Sequence, residues 1–197
     1  ASPGADLLPA SLVNLGIVRT DLHRYDAALA AFEEAVEQCR AIRNRVGEVQ
    51  TLQNTGLCLF KMGAPARALE RLEAAAAAAE TVGAAADALV HLERSIALAG
   101  APGVRGPADG AADVDLLVRA ADAAAEAGDS GRAEAFAALA LARHPDQADR
   151  VVRAELTERL GTIRLARGDD AGAIAAFERA FEILPASPSP ARARLLA

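Results

Sequence analysis

The chain has 197 residues, a formal net charge of −6, 52% hydrophobic residues and 24% charged ones, which suits one soluble domain or two small ones and argues against disorder. Arg, Glu, Asp or Gly interrupts every apolar stretch before it reaches the roughly eighteen residues of a membrane-spanning helix, so no membrane partner is expected. The acidic balance, the arginines spread along the chain, the absence of Trp and the single Tyr exclude the basic, aromatic-bearing surface that nucleic acid needs.

The sequence opens at Ala1 with neither a basic nor an apolar leader segment, and no secretory signal is visible. Two cysteines, Cys39 and Cys58, make no disulfide framework, which points to a reducing cytoplasm. Sliding the chain against itself exposes a repeat. From Gly16, Ala28, Phe32 and Ala35 follow at offsets of 12, 16 and 19; from Gly56, the same offsets give Ala68, Leu72 and Ala75; from Gly161, they give Ala173, Phe177 and Ala180. A weaker copy starts at Ala121 and gives Ala133, Ala137 and Ala140. Each unit reads as a helix, a turn and a second helix, as in Leu12, Leu15 and Val18 before the first turn and Leu29, Phe32 and Val36 after it.

In chain order the units fall at about residues 10–43 and 48–81, then 111–144 and 149–185, making an N-terminal part over 1–100 and a C-terminal part over 111–185. Between them, Val82 to Ala99 carries an amphipathic pattern, with residues 84–99 read as the first helix of a third repeat whose second helix is missing or replaced. Ala101 to Gly110 is a Gly/Pro-rich loop. Residues 186–197 form a Ser/Pro linker and the start of a further helix. With that ending and a first residue other than Met, the chain is expected to be a piece of a longer protein. The glycines have two roles. Gly16, Gly56 and Gly161 sit inside first helices, where Gly costs about 1 kcal/mol relative to Ala, so a close helix contact is expected there. Gly63, Gly128 and Gly168 stand where first helices must stop. The large Phe32, Leu72 and Phe177 are expected to fill the space between neighbouring hairpins.

These residues resemble the tetratricopeptide repeat. Its signature is a Leu-Gly pair in the first helix, a Tyr in the turn region, Ala, Phe and Ala in the second helix and Pro at its end. Leu15-Gly16, Tyr25, Ala28, Phe32 and Ala35 match it, as do Leu160-Gly161, Ala173, Phe177, Ala180 and Pro185. The second copy departs, with Thr55 before its Gly, Pro65 for Tyr and Leu72 for Phe. Spacing departs too: Gly56 follows Gly16, and Gly161 follows Ala121, by 40 residues, against about 34 in the usual repeat. The resemblance therefore implies an all-α array of antiparallel helix hairpins, a right-handed superhelical solenoid of the long-helix subtype found in bacterial regulatory and signalling proteins.

No catalytic, metal or cofactor constellation stands out. His23, His91 and His144 lie in different units without zinc-ligand spacing, and Cys58, between Leu57 and Leu59, reads as an inert core thiol. The paired carboxylates Glu33-Glu34 and Asp169-Asp170 are expected near helix starts, where negative charge is favoured. The glycines at 103, 106 and 110 lack the Lys-Ser/Thr of a phosphate loop. What remains is the concave wall of first helices, the usual binding surface of solenoids. The resemblance places Asn14 and Asn54 there, each two residues before its repeat glycine, as holders of a peptide main chain. Asp21, Gln50, Lys61, His91, Arg94, Arg119, Asp122 and Arg159 are the neighbouring candidates.

The expected function is thus a non-enzymatic module that binds a protein or peptide within a larger bacterial regulatory protein. Two other readings remain: a ligand-sensing segment of a transcription regulator or signalling ATPase, and the recognition arm of a multidomain enzyme such as a caspase-like protease. A composition rich in Ala, Arg, Asp and Gly and poor in Lys fits a high-GC actinobacterial gene.

Overall fold

The computed structural model describes residues 7–104, 110–144 and 149–184. Pro145, Pro185, residues 105–109 of the central loop and the helix expected after residue 190 lie outside them. Among the described residues there are nine α-helices and no strand: α1 (Leu7–Asp21), α2 (Tyr25–Ala41), α3 (Arg45–Lys61), α4 (Pro65–Thr81), α5 (Ala85–Ala99), α6 (Gly110–Glu126), α7 (Ser130–Arg143), α8 (Arg150–Ala166) and α9 (Asp170–Ile183). They fall into two compact units, residues 1–106 and 107–197. In the first unit α1 pairs with α2, α3 with α4, and α5 packs on α4; in the second α6 pairs with α7 and α8 with α9. Three-residue turns join the partners, so each pair is an antiparallel hairpin.

Local chemistry sets the helix ends. Asn44, Asp129 and Asp169 each accept a hydrogen bond from the main-chain N–H three residues on, at 2.9–3.0 Å, and Pro65 opens α4 where its missing N–H is harmless. The stops are left-handed residues. His23, Arg43, Gly63 and Gly83 have φ of 56°, 57°, 83° and 69°, and they stand twenty residues apart. Seventeen-residue helices joined by three-residue turns therefore account for the 40-residue period. At positions 23 and 43 a side chain occupies a conformation that glycine adopts without steric cost. Arg43→Gly is accordingly expected to stabilise the protein by about 0.5–1 kcal/mol, read as a higher urea midpoint.

The hairpins close on small residues. A Cβ placed on Gly16 would collide with Cε1 of Phe32, and one on Gly161 would lie 2.7 Å from Cε1 of Phe177. The ring of the second helix thus rests on the glycine backbone of the first. Phe32 also belongs to a buried cluster with Leu29, Cys58, Leu59 and Ala68, so it packs within its own hairpin and against the next. In the same two hairpins Arg19 donates to the carbonyl of Ala27 at 3.0 Å and Arg164 to that of Gly172 at 3.4 Å, tying each first helix to the start of its second. Gly56 is looser, its nearest contact being Cγ of Leu72 at 3.2 Å. Gly16→Ala should cost about 1–3 kcal/mol by overpacking, whereas Gly56→Ala, which gains helix propensity, should stay within about 1 kcal/mol of the parent. Equal urea midpoints for the two variants would refute this ordering.

Leu15 and Val18, which share the helical spacing of α1, are 41% and 55% exposed, and the face of α1 turned to α2 carries Gly16 and Thr20, with the Thr20 hydroxyl bonded to the Gly16 carbonyl at 2.9 Å. One expectation needs correction. Glu33 and Glu34 stand two turns inside α2, not at its start, since that helix begins at Tyr25; both are exposed. Asp169 does cap α9.

Among the described residues one carboxylate is buried. Glu48, near the start of α3, receives hydrogen bonds of 2.7 Å each from Nε of Arg40 on α2 and Nη1 of Arg45. Burial by itself raises its pKa, but the two guanidinium groups together outweigh burial and hold it below the ordinary glutamate value. A depressed folded-state pKa stabilises the fold above the unfolded pKa, about 4.3, and that stability is lost as pH falls through the folded value. The urea midpoint should therefore drop on acidification below about pH 5, and less steeply in Glu48→Gln.

Candidate binding groove

In the first unit α3 and α5 each carry a stripe of side chains that lines a common depression. On α3, Val46, Gln50, Gln53, Leu57 and Phe60 recur at helical spacing; on α5, Asp87, His91, Arg94 and Leu98 do the same. These stripes face each other across a groove in the first unit. Its wider end is a notch of about 590 Å³ lined by Gln53, Gly56, Leu57 and Phe60 of α3, Leu72 of α4, Arg94, Ala97 and Leu98 of α5, and Ala101. Leu57 and Phe60 are 49% and 57% exposed and together give the notch an apolar edge. Its narrower end, about 190 Å³, is lined by Val46, Val49, Gln50, Gln53, Val82, Ala84, Asp87, Val90 and His91.

Gly56 and Leu72 explain part of the notch. In the first hairpin the equivalent space is taken by the Phe32 ring pressed on Gly16; in the second, the shorter Leu72 leaves the backbone at Gly56 open on the groove side. The narrow end has different chemistry. His91 is 3% exposed, and its Nδ1 has no hydrogen-bond partner, a deficit worth about 1–3 kcal/mol. Burial, aided by Arg94 and opposed by Asp87, lowers the His91 pKa, which keeps the ring neutral at pH 7.

The candidate residues from the sequence separate into three groups. Gln50, His91 and Arg94 line the groove, although His91 lies beneath its surface. Asp21 and Lys61 pair with each other at 3.1 Å, bridging the ends of α1 and α3, and Asp122 and Arg159 pair in the same way between α6 and α8. Those four act as braces between neighbouring first helices. In the second unit that brace sits in a cleft that also presents Glu155 and Glu158. Asn14 is exposed, and Asn54 donates from Nδ2 to the Gln50 carbonyl of its own helix at 3.0 Å; neither lines the groove. Arg119 lies half-buried on α6. Sequence reasoning missed Leu57, Phe60, Gln53 and Asp87, although Leu57 and Phe60 stand one and four residues after the repeat glycine, on the side of the helix away from Leu59.

Cys58 is fully buried, its thiol directed at the Tyr25 carbonyl 3.9 Å away. His23 is exposed, with Nδ1 2.7 Å from the Tyr25 hydroxyl. No described helix is long and apolar enough to cross a membrane.

Hairpins closed on glycine, stacked so that first helices line an open groove, define a helical-repeat scaffold. Residues 7–81 match the family model described as "Tetratricopeptide repeat", and α1 to α4 accordingly form tetratricopeptide repeats. No curated protein sequence matches the chain. Among solved structures it is similar to BtubC (BKLC) from P. vanneervenii, at 16% identity over 94% of this chain and 85% of that one, with a TM-score of 0.48. It is also similar to a kinesin light chain of nearly identical TPR-like repeats from Podospora anserina, at 16% identity over 93% and 97%, with a TM-score of 0.45. YrrB, described as a TPR protein with an unusual peptide-binding site, aligns at 14% identity over 89% and 86%, with a TM-score of 0.45.

Proposed function

We propose that the chain is a non-catalytic scaffold segment that binds a peptide or protein partner in the groove between α3 and α5, within a larger bacterial regulatory protein in the cytoplasm. The observation that carries this reading is the exposed pair Leu57 and Phe60 beside an open apolar notch. Apolar side chains left in water beside a concavity of this size are what a partner's anchoring side chain buries. Two buried thiols, Cys39 and Cys58, suit a reducing compartment. The volume of the notch, about 590 Å³, also favours the second reading, in which a small apolar ligand is sensed there.

Selection of a random sixteen-residue peptide library against the whole chain tests the proposal. Selected peptides should bind the Phe60→Ser variant at least about tenfold more weakly while its urea midpoint changes little, since Phe60 is largely exposed. Leu72→Phe, which narrows the notch, should weaken them as well. Asn54→Ala should have a much smaller effect, its amide already being engaged with its own helix. Peptides indifferent to both Phe60→Ser and Leu72→Phe would move the site away from this groove.

A further inference from the structure

The narrow end of the groove has a composition that the notch does not share. Val46, Val49, Val82 and Val90 form apolar walls, and Gln50, Gln53, Asp87 and His91 place polar groups between them. Among the described residues the side chains of Gln50, Gln53 and Asp87 make no hydrogen bond or ion pair with the protein, and Nδ1 of the buried His91 has no partner. Asp87 lies in the first turn of α5, where negative charge is favoured on its own account. That accounts for Asp87 but not for the two unengaged amides of Gln50 and Gln53 lining the same crevice above a buried, unsatisfied imidazole.

We propose that this crevice receives the Lys or Arg side chain of a partner segment whose bulky apolar side chain occupies the notch at Leu57 and Phe60. The proposal rests on the groove reading above and adds the partner's chemistry. A long basic side chain has an aliphatic stem and a cationic head; the valine walls suit the stem. For the head the crevice offers the Asp87 carboxylate and the side-chain amide oxygens of Gln50 and Gln53. An anion would face Asp87, whereas Arg94, which acts on His91 electrostatically, lines the notch and not the crevice. The two subsites follow one another along both helices by about seven residues, roughly 10 Å at 1.5 Å per residue. A helical partner would present its two anchors seven residues apart, and an extended one about three apart.

The library selection reads this directly. Peptides that depend on Phe60 should share a Lys or Arg at a fixed offset of three or seven from a Leu, Ile, Met or Phe. Replacing that Lys by norleucine, or that Arg by citrulline, should weaken binding to the parent chain by roughly ten- to a hundredfold. The same replacement should cost little against Asp87→Asn, a conservative change at an exposed position. Phe60-dependent peptides that carry no such basic residue, or whose basic residue matters equally in the parent and in Asp87→Asn, would overturn the cation subsite while leaving the groove intact. Failure to obtain any Phe60-dependent peptide would instead overturn the groove reading, and the subsite with it.

Discussion

Two helices of this chain can pair only where one backbone comes close enough for a ring or a methyl group to rest on it. At Gly16 and Gly161 the first helix offers no side chain at all, and Phe32 and Phe177 lie against bare backbone. In the second unit Ala121 takes the glycine's place, and the facing Ala133, Ala137 and Ala140 are all buried. Such small residues contribute little apolar area each, so stability rests on close fit along whole helices more than on a few large side chains. Each pair then sets the angle at which the following helix can pack, which is why the position of α3 against α2, and the width of the groove it borders, trace back to these contacts.

Much of this was legible in the sequence because a glycine inside a helix weakens that helix and so marks a place where a close contact needs the space. The copies at Gly16, Gly56 and Gly161 and the helix stops at Gly63, Gly128 and Gly168 could be read from spacing alone. His23 and Arg43 could not, since nothing in a His or an Arg announces a left-handed backbone; only their twenty-residue distance from Gly63 reveals it afterwards. Leu15 and Val18 show a different limit. Helical periodicity tells which residues share a face but not whether another element covers that face, and α1 buries Gly16 and Thr20 in their stead.

The site was harder to read. Asp21 and Lys61 lie forty residues apart, and Asp122 and Arg159 thirty-seven, so their mutual neutralisation is a property of stacking that single-helix reasoning cannot supply. The mixed charge signs that obscured the nature of the groove come largely from these braces. Once they are set aside, the surface between α3 and α5 is simpler: apolar at Leu57 and Phe60, polar and acidic toward Asp87. Leu72 in place of a phenylalanine was visible in the sequence only as a departure from a repeat pattern, whereas in the structure it is part of what makes room there.

The left-handed residue at every twentieth position in the first unit has a consequence for how such a chain can change over generations. A duplication or deletion that begins and ends at these turns adds or removes whole helices, and one of forty residues adds or removes a whole hairpin, leaving every other glycine–ring contact in register. Changes of other lengths rotate all downstream helices by about 100° per residue and bury the wrong face. Array length is therefore free to vary in coarse steps under selection, while the groove between any two adjacent first helices can be altered by single substitutions without touching that rhythm.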